Sequence, residues 1–435
     1  MALDSVAVPA PSAVVVFTFA YPYGRGEEFL DGEIPHLLTE FDRVVVVPTL
    51  QLRGRPQTRQ VADGVIVVPP ESTEQRGIVK LALLGLRHPI EAGRVILRSI
   101  RGASDFAGKL DDLQFDLLST RVALQVRHRL AALLDGDPEL VFYGFWLGEP
   151  ARIALEARRL LRRPRSPVVS RANGFDLFVE RHPRGYLPQR GLILDGVDRV
   201  FAASVAAEEY LRDRYPEHGE KYSVERIGTS PAINPGNVRR HPLRVVSCSY
   251  VSQVKRIPML IDGLAELQRR GVDLIWNHIG SGDERLVDEV VAYARERLTP
   301  GTFEFLGHME SHELRQWYAS NPATMFAQLS ESEGGLAASI QEALAQGLPV
   351  VVTRVGGVAA LGETSLPLFD GLLEAEHTPH EFADRVQLLL TADDATYRSY
   401  SSAAMSYWHD NCSVDLLASG FATRLRAMAR RGAAQ

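Results

Sequence analysis

The chain has 435 residues, of which 45% are hydrophobic and 23% are charged. This length exceeds what one hydrophobic core fills, so we expect two domains, and the composition excludes disordered and low-complexity proteins. The formal net charge of −6 argues against a bulk nucleic-acid-binding protein, because phosphate contacts need an excess of Lys and Arg. We therefore expect no nucleic-acid partner.

The cysteines and the lengths of the apolar runs indicate the cellular compartment of the protein. Cys248 and Cys412 lie far apart and lack the spacing of metal ligands, which fits a reducing cytoplasm. The apolar run from Ala13 to Ala20 is too short for the core of a signal peptide, and no run approaches the ~20 residues that cross a bilayer. We expect a cytoplasmic protein that is soluble or at most peripheral to a membrane.

Short apolar, β-branched runs alternate with helical segments in the first half, a pattern typical of parallel α/β units. The first apolar run predicts a buried strand that opens the domain. The predicted strands are Ala13 to Ala20, Arg43 to Pro48, Leu140 to Trp146, Val168 to Arg171 and Arg199 to Ala202.

A second series of the same kind follows a linker rich in Gly, Pro and polar residues around Gly228 to Pro242. Its predicted strands are Leu243 to Cys248, Leu274 to Gly280, Thr302 to Leu306, Thr324 to Ala327 and Pro349 to Thr353. We expect two Rossmann-like α/β domains, 1–235 and 236–400, that face each other across a cleft. A helical tail, 401–435, is expected to pack back on the first domain.

Such domains bind ligands beyond the carboxyl ends of their strands, so the loops there are the candidate sites. Gly24 and Gly26 follow the first predicted strand, and Gly280 and Gly282 follow a strand of the second series. Glycines let the backbone approach a ligand, and the start of the next helix favours an anion. Each loop alone is explained equally well as a tight turn, but the pair predicts a single diphosphate site.

The segment from Ser330 to Pro349 carries acids and glycines into an Ala-rich helix that Gly347 is expected to end. Glu342 lies inside this helix among apolar neighbours. A buried carboxylate without partners is costly, so we expect Glu342 to hold a partner such as a pair of hydroxyls. The alternative is a capping or salt-bridged glutamate.

These segments resemble the family-4 retaining glycosyltransferases, and among them the bacterial capsule, exopolysaccharide and lipopolysaccharide branch. The resemblance spans nearly the whole chain and implies the two-domain GT-B fold. It is carried by Tyr21 to Leu30, Ser170 to Leu177, Val254 to Arg256 and Glu333 to Gly357.

The resemblance implies roles for individual residues. Glu333 matches a glutamate that contacts hydroxyls of the transferred sugar, and Glu342 matches one that holds the nucleotide ribose. Lys255 resembles a lysine that neutralises the donor diphosphate, and Asn173 completes the predicted catalytic set. The predicted donor-binding set is Gly24, Gly26, Lys255, Arg256, Gly280, Gly282, His308, Gly334, Gly335, Ser339 and Glu342.

Three departures from the family pattern weaken this assignment. Asn173 stands where the family has a histidine, and an amide donates a hydrogen bond but carries no proton. Tyr250 replaces an arginine that often precedes the lysine. The interval between Glu333 and Glu342 is one residue longer than is typical, with Gly335 as the expected insertion.

Two motifs imitate metal sites. Asp135-Gly136-Asp137 is explained more simply as a polar surface turn before a strand, and His308 with His312 lacks a third ligand. We therefore expect no metal and no other cofactor, with the nucleotide-sugar as a substrate. His308 is expected to approach the nucleobase.

Residues 76–109 contain seven Lys or Arg residues and two acids, interleaved with Leu and Ile. This pattern predicts either a peripheral contact with an anionic membrane, where a lipid-linked acceptor would be met, or a solvated helix face.

The sequence thus predicts a retaining, metal-independent glycosyltransferase that moves a sugar from a nucleotide-sugar, with UDP as the expected nucleotide, to a glycan or lipid-linked acceptor. One alternative is a nucleotide-sugar epimerase, which would isomerise the donor without an acceptor. Another is a non-catalytic protein that binds a nucleotide-sugar or a partner enzyme, as Asn173 would allow.

Overall fold

The computed structural model describes residues 11–24, 26–49, 57–70, 85–101, 105–136, 139–182 and 184–434. The chain forms two compact units, one of Met1–Glu225 with Ala418–Gln435 and one of Arg226–Leu417. The second unit starts before the predicted residue 236 and extends past residue 400. Of the predicted tail, the part from Ala418 onward groups with the first unit.

The first unit is built on a parallel sheet with the order β3-β2-β1-β4-β5-β6-β7. All described pairings between these neighbours are parallel. The strands are β1 (Ser12–Thr18), β2 (Arg43–Pro48), β3 (Val65–Val67), β4 (Glu139–Gly144), β5 (Val168–Ala172), β6 (Arg199–Ala202) and β7 (Tyr222–Val224).

Helices accompany these strands, as the alternating pattern predicted. They are α1 (Phe29–Glu40), α2 (Pro89–Arg101), α3 (Phe106–Leu133), α4 (Glu149–Leu160), α5 (Arg190–Gly196) and α6 (Val205–Arg214). Because helices cover a parallel sheet on both faces, its central strands are buried throughout, as all seven residues of β1 are. The strand order reverses between β1 and β4, which marks the loops after these strands as the ligand-binding edge of such a sheet.

The second unit repeats this architecture with a parallel sheet of order β10-β9-β8-β11-β12-β13. Its strands are β8 (Leu243–Cys248), β9 (Leu274–Ile279), β10 (Phe303–Phe305), β11 (Met325–Gln328), β12 (Val350–Thr353) and β13 (Leu372–Leu373). Its helices are α7 (Ile257–Arg269), α8 (Glu284–Arg297), α9 (Ser311–Ser320), α10 (Ala338–Ala345), α11 (Pro379–Thr391) and α12 (Asp394–Cys412). The prediction of two doubly wound α/β domains is confirmed.

Local sequence sets several helix boundaries. Asp105 and Asp283 cap α3 and α8 by accepting hydrogen bonds from the amides of Gly108 and Leu286. After α10 the chain turns away at Gly347, whose φ of +80° is the left-handed conformation that glycine adopts readily. The predicted end of this helix is confirmed.

The last helix, α13 (Val414–Ala434), supplies an aromatic side chain to the first unit. The Phe421 ring lies 5.3 Å from that of Tyr143 and 5.2 Å from that of Phe201. Arg424 forms an ion pair of 2.7 Å with Glu225. Among the described residues, no helix combines the length and the apolar character needed to cross a membrane.

Candidate functional site

Lys255 and Glu333 form an ion pair in the second unit. Lys255 ends a single 3-10 turn that follows β8, and Glu333 lies in the loop between β11 and α10. Lys255 Nζ lies 2.5 Å from Glu333 Oε1, and Glu333 is only 8% exposed. The structure therefore brings together the two side chains predicted to meet the donor diphosphate and the transferred sugar.

Gln328, the last residue of β11, holds Glu333 from the other side. Its amide nitrogen donates to Glu333 Oε1 at 2.9 Å and to Ser330 Oγ at 3.1 Å, while its amide oxygen accepts from Ser339 Oγ at 2.7 Å. Gln328 thus connects the start of α10 to the carboxylate. Sequence reasoning missed this residue, and its only signal was a polar side chain directly after the predicted strand Thr324 to Ala327.

The loop that carries Glu333 packs against the turn after β12. Gly356 has a φ of +48°, and a Cβ at this position would lie 1.7 Å from the carbonyl oxygen of Glu333. A Cβ on Gly357 would lie 2.5 Å from the carbonyl carbon of Gly335. Only glycines permit this approach, so the pair at the turn fixes the position of the loop that contains Gly334 and Gly335.

Gly280 and Gly282 have a similar packing role. Gly280 has a φ of +149°, and a Cβ there would lie 1.9 Å from the carbonyl oxygen of Ser249. A Cβ on Gly282 would lie 2.6 Å from the carbonyl oxygen of Val251. These glycines bring the loops after β8 and β9 into contact, and their predicted contact with a donor stays a prediction.

Glu342 faces a hydroxyl group. Ser311, the first residue of α9, donates a hydrogen bond of 3.0 Å from its Oγ to Glu342 Oε1, and Arg315 donates to the same Oγ at 3.0 Å. Cys248 lies close by, and the pKa of its thiol is raised by burial first and then by the Glu342 charge. Glu342 is therefore a partly buried carboxylate beside hydroxyl and thiol groups at the carboxyl end of β8.

The Arg256 side chain forms hydrogen bonds with backbone carbonyl groups. The residue itself has a φ of +43°. Its guanidinium donates to the carbonyl oxygens of Leu329, Ser330 and Ala375 at 3.0, 3.3 and 2.8 Å. These bonds hold the carboxyl end of β11 in place. The structure thus gives Arg256 a supporting position behind the loop, and its predicted contact with the diphosphate stays a prediction.

His308 lies beside the start of α9. Its Nε2 is 3.0 Å from Glu310 Oε1, and Glu310 forms a capping box with Glu313. His312 is exposed on the same helix. Across the described ranges, no group of three or more His, Cys, Asp or Glu side chains is arranged to hold a metal ion. Asp137 of the Asp-x-Asp motif lies outside these ranges.

In the first unit, the loop after β1 folds around a carboxylate of the chain itself. Glu27 Oε1 accepts from the amide of Phe19 at 2.8 Å and from Trp146 Nε1 at 2.7 Å. Its Oε2 accepts from the amides of Ala20 and Tyr21, both at 2.8 Å. Amides at the end of a strand are typical anion donors, and here Glu27 occupies them. Sequence reasoning did not assign this role to Glu27.

Gly24 and Gly26 lie in the same loop. A Cβ on Gly24 would lie 2.6 Å from the Ala20 Cβ. Gly26 has a φ of +95°, and its amide donates to Glu28 Oε1 at 2.8 Å. Arg25, between the two glycines, lies outside the described residues. Both glycines are therefore required by the turn itself, whether or not a phosphate approaches it.

Asn173 follows β5, and its backbone is held by a buried carboxylate. Asp176 Oδ1 accepts from the amides of Asn173 and Gly174 at 3.0 and 2.9 Å, and burial raises the pKa of Asp176. The Asn173 side chain donates to the carbonyl oxygen of Phe145 at 3.4 Å. Its Oδ1 is buried and accepts no hydrogen bond from any described residue. Asn173 thus offers an acceptor at the carboxyl edge of the first sheet.

Residues 242–392 match the family model of the group 1 glycosyl transferases. A putative colanic acid biosynthesis glycosyltransferase of Escherichia coli K12 is 25% identical over 248 residues, which cover 54% of this chain and 58% of the relative. A D-inositol 3-phosphate glycosyltransferase of Corynebacterium glutamicum is 29% identical over 225 residues, which cover 46% of this chain and 52% of the relative. The matches span between 30% and 58% of the length of the curated relatives.

Solved structures share the fold over almost the whole chain. The Anabaena protein HepE, solved in complex with UDP-glucose, is 15% identical with a TM-score of 0.63 and covers 95% of this chain and 99% of its own. At this identity such a likeness shows the fold alone. The shared fold is the GT-B fold of two Rossmann-like domains, and the match to the group 1 family model falls within the second unit.

Proposed function

We propose that the chain is a retaining glycosyltransferase that binds a UDP-sugar in its second unit and transfers the sugar to a glycan or lipid-linked acceptor. The observation that carries the proposal is the cluster of Lys255, Glu333 and Gln328 at the carboxyl ends of β8 and β11. A cation, a carboxylate and an amide converge there beside loops that glycines bring together, and the charges of both Lys255 and Glu342 act on Cys248 at the end of β8. Relatives named for colanic acid and amylovoran biosynthesis support a polysaccharide product.

Each group suits one part of a nucleotide-sugar. Lys255 would make a charge-assisted contact with the diphosphate, as cations do with phosphate oxygens. Glu342, which already accepts from the Ser311 hydroxyl, would accept from the hydroxyls of the ribose. Glu333 would accept from hydroxyls of the transferred sugar.

In the proposed reaction, a hydroxyl of the acceptor attacks the anomeric carbon from the face that the diphosphate leaves. The bond between that carbon and the diphosphate oxygen breaks, and this oxygen takes the proton of the attacking hydroxyl, so the configuration is retained. Lys255 would stabilise the charge that develops on the leaving diphosphate. Since a positioned cation can do this alone, we also propose that the reaction needs no metal ion.

Two further parts of the proposal concern the cellular compartment and the place where the acceptor binds. Cys248 and Cys412 are both free thiols, which supports a reducing, cytoplasmic compartment. The acceptor is assigned to the first unit, where the Asn173 side chain and the aromatic rings of Trp146 and Phe175, 4.8 Å apart, offer polar and stacking contacts.

The test is a thermal-shift and calorimetric screen against UDP-, GDP-, ADP- and TDP-sugars, with and without EDTA. A true donor stabilises the fold in proportion to its occupancy, so one UDP-sugar should raise the melting temperature and still do so in EDTA. Binding that EDTA abolishes would contradict metal independence. The absence of stabilisation by every nucleotide-sugar would contradict the donor site.

Product analysis of the bound donor separates the remaining possibilities. Transfer with an α-linked product from an α-linked donor would support retention, and inversion would contradict it. Isomerised donor in the absence of acceptor would identify an epimerase. Binding without transfer, hydrolysis or isomerisation would identify a non-catalytic protein.

A further inference from the structure

Helix α2 presents its large aliphatic side chains to solvent. Ile90 is 70% exposed, Ile100 is 61% exposed, and Leu97 and Ile96 are 48% and 42% exposed. At about 100° per residue these four positions lie on one side of the helix. A helix at a protein surface normally turns such a stripe towards the core, so α2 is oriented in the opposite sense.

The inward side of α2 is held by a small core and by ion pairs. Val95 and Ala92 pack with Leu117 of α3. Arg98 lies 3.4 Å from carboxylates of both Asp116 and Glu156. The orientation of α2 is therefore fixed by polar and apolar contacts together, and the exposed stripe does not result from a loosely packed helix.

Neighbouring segments add further exposed apolar side chains. Leu86 before α2 is 82% exposed, and Phe106 and Leu110 at the start of α3 are 84% and 40% exposed. We define Leu86, Ile90, Ile96, Leu97, Ile100, Phe106 and Leu110 as the outer face. Large exposed hydrophobic residues are thus concentrated within 25 residues of the described chain, whereas elsewhere they are scattered singly.

Cations border the outer face. Arg87 and Arg94 are exposed, and Arg94 lies one turn after Ile90. Glu91, whose side chain is mostly buried, pairs with Arg159 and with Arg94, which leaves Arg87 as the exposed arginine without an acid among these pairs, and the exposed Asp105 precedes Phe106. An aliphatic and aromatic surface bordered by arginines matches the interface of a bilayer with anionic headgroups, where the apolar side chains enter the acyl region and the cations reach the phosphates.

We propose that the outer face docks this protein on an anionic membrane. A second copy of the chain is a poorer occupant, because a symmetric contact through this face would bring the arginines of both copies together. The proposal covers the described part of the basic stretch predicted from sequence. Residues 76–84 and 102–104 of that stretch lie outside the described ranges.

The experiment is sedimentation with vesicles of phosphatidylcholine alone or mixed equally with phosphatidylglycerol. The wild type should bind the mixed vesicles at low ionic strength and bind the neutral vesicles at least about tenfold less, since only the anionic surface attracts the arginines. The triple variant Ile90→Gln, Leu97→Gln, Ile100→Gln should lose at least about tenfold in binding to the mixed vesicles. These side chains are exposed, so the variant should melt like the wild type.

Matched controls separate the outer face from general surface effects. The triple variant Ile233→Gln, Leu388→Gln, Leu416→Gln changes side chains that are 57%, 60% and 56% exposed elsewhere and should bind vesicles like the wild type. Arg87→Gln with Arg94→Gln should lose the preference for anionic vesicles. Arg285→Gln with Arg398→Gln, which makes the same change in net charge at exposed sites, should keep it.

Three results would overturn the proposal. The first is a wild type that fails to sediment with anionic vesicles at low ionic strength, and the second is equal binding by both triple variants. The third is a dimer, seen by light scattering, that only the outer-face variant dissociates, which would identify a second copy as the occupant. Donor binding is measured separately in the second unit, so its failure would leave the vesicle result unaffected.

Discussion

The Nζ atom of Lys255 lies 2.5 Å from Oε1 of Glu333, so the cation and the carboxylate neutralise each other. In the proposed function these groups bind different parts of the donor. A diphosphate must therefore compete with Glu333 for the lysine, and the carboxylate then becomes available to the sugar hydroxyls.

This competition predicts opposite effects of two substitutions. Glu333→Gln should keep or improve the affinity for UDP and lower the turnover of the UDP-sugar, because it frees Lys255 but weakens the contact with the sugar. Lys255→Met should lower the affinity for UDP by about tenfold or more, the cost of one charge-assisted contact. Calorimetric titration with UDP and single-turnover kinetics measure the two effects. Equal loss of UDP binding in both variants would contradict the competition.

Glu342 is predicted to act on the nucleotide alone. Glu342→Ala should weaken binding of UDP and of the UDP-sugar by about tenfold, while turnover at saturating donor stays close to that of the wild type, because a carboxylate–hydroxyl contact of about 1.5 kcal/mol or more is lost in every bound state. Glu331→Ala changes an exposed acid of the loop that precedes α10 and is the matched control. A fall in turnover at saturation that exceeds the loss of affinity would place Glu342 at the reacting centre instead.

Gln328 is predicted to position Glu333. Gln328→Leu removes the 2.9 Å hydrogen bond to Glu333 and the 2.7 Å bond from Ser339, and should lower turnover by about tenfold with little change in UDP affinity. Gln328→Glu should place a second carboxylate beside Glu333 and lower turnover at least as much as Gln328→Leu, because a donor to Glu333 is replaced by a like charge. A purely structural role would lower the melting temperature and UDP affinity together with turnover.

The fold was largely predictable because its central strands are apolar runs with clear boundaries. The predicted strand over Arg43 to Pro48 coincides with β2, and the predicted strand over Leu243 to Cys248 coincides with β8. The edge strands β3, β7 and β13 were not predicted. Each spans only two or three residues, and their pairing depends on the neighbouring strand rather than on a pattern in their own sequence.

The site was predictable only in part, for a physical reason. Lys255 and Glu333 lie 78 positions apart and were identified through motif resemblance, and the structure brings them into contact. The role of Gln328 depends on the side-chain contacts at the end of β11, which no local pattern encodes. Glu27 likewise accepts hydrogen bonds from the amides after β1. Its carboxylate also accepts from Trp146, a residue 119 positions away that no local pattern connects with it.

Asn173 is predicted to contact the acceptor through its side chain. Asn173→Ala should lower turnover by about tenfold and leave UDP affinity unchanged, because an acceptor for a sugar hydroxyl is lost and the backbone stays held by Asp176. Asn173→His should retain more activity than the alanine variant, since the ring can again accept a hydrogen bond. Full activity in Asn173→Ala would exclude the contact and would remove the main reason to compare this position with the histidine of the family.

The buried His278 leads us to predict that the second unit loses stability in acid. The ring is fully buried in β9, its Nδ1 lies 2.9 Å from Ser247 Oγ, and this hydroxyl also accepts from Trp276 Nε1 at 2.9 Å. Burial lowers the pKa of His278 from 6.5 to about 4. The unfolded chain therefore binds a proton that the folded chain excludes as the pH falls through this interval.

The direction of the pH dependence of stability follows from that difference in proton binding. The stability of the second unit should be unaffected by His278 above about pH 6.5 and should fall progressively towards pH 4, by about 3 kcal/mol in total. In His278→Gln this part of the decline should disappear, although the variant is less stable at neutral pH, whereas His312→Gln at an exposed position should behave like the wild type. Urea unfolding at a series of pH values measures the slopes, and parallel slopes in all three proteins would show that His278 is not the group responsible.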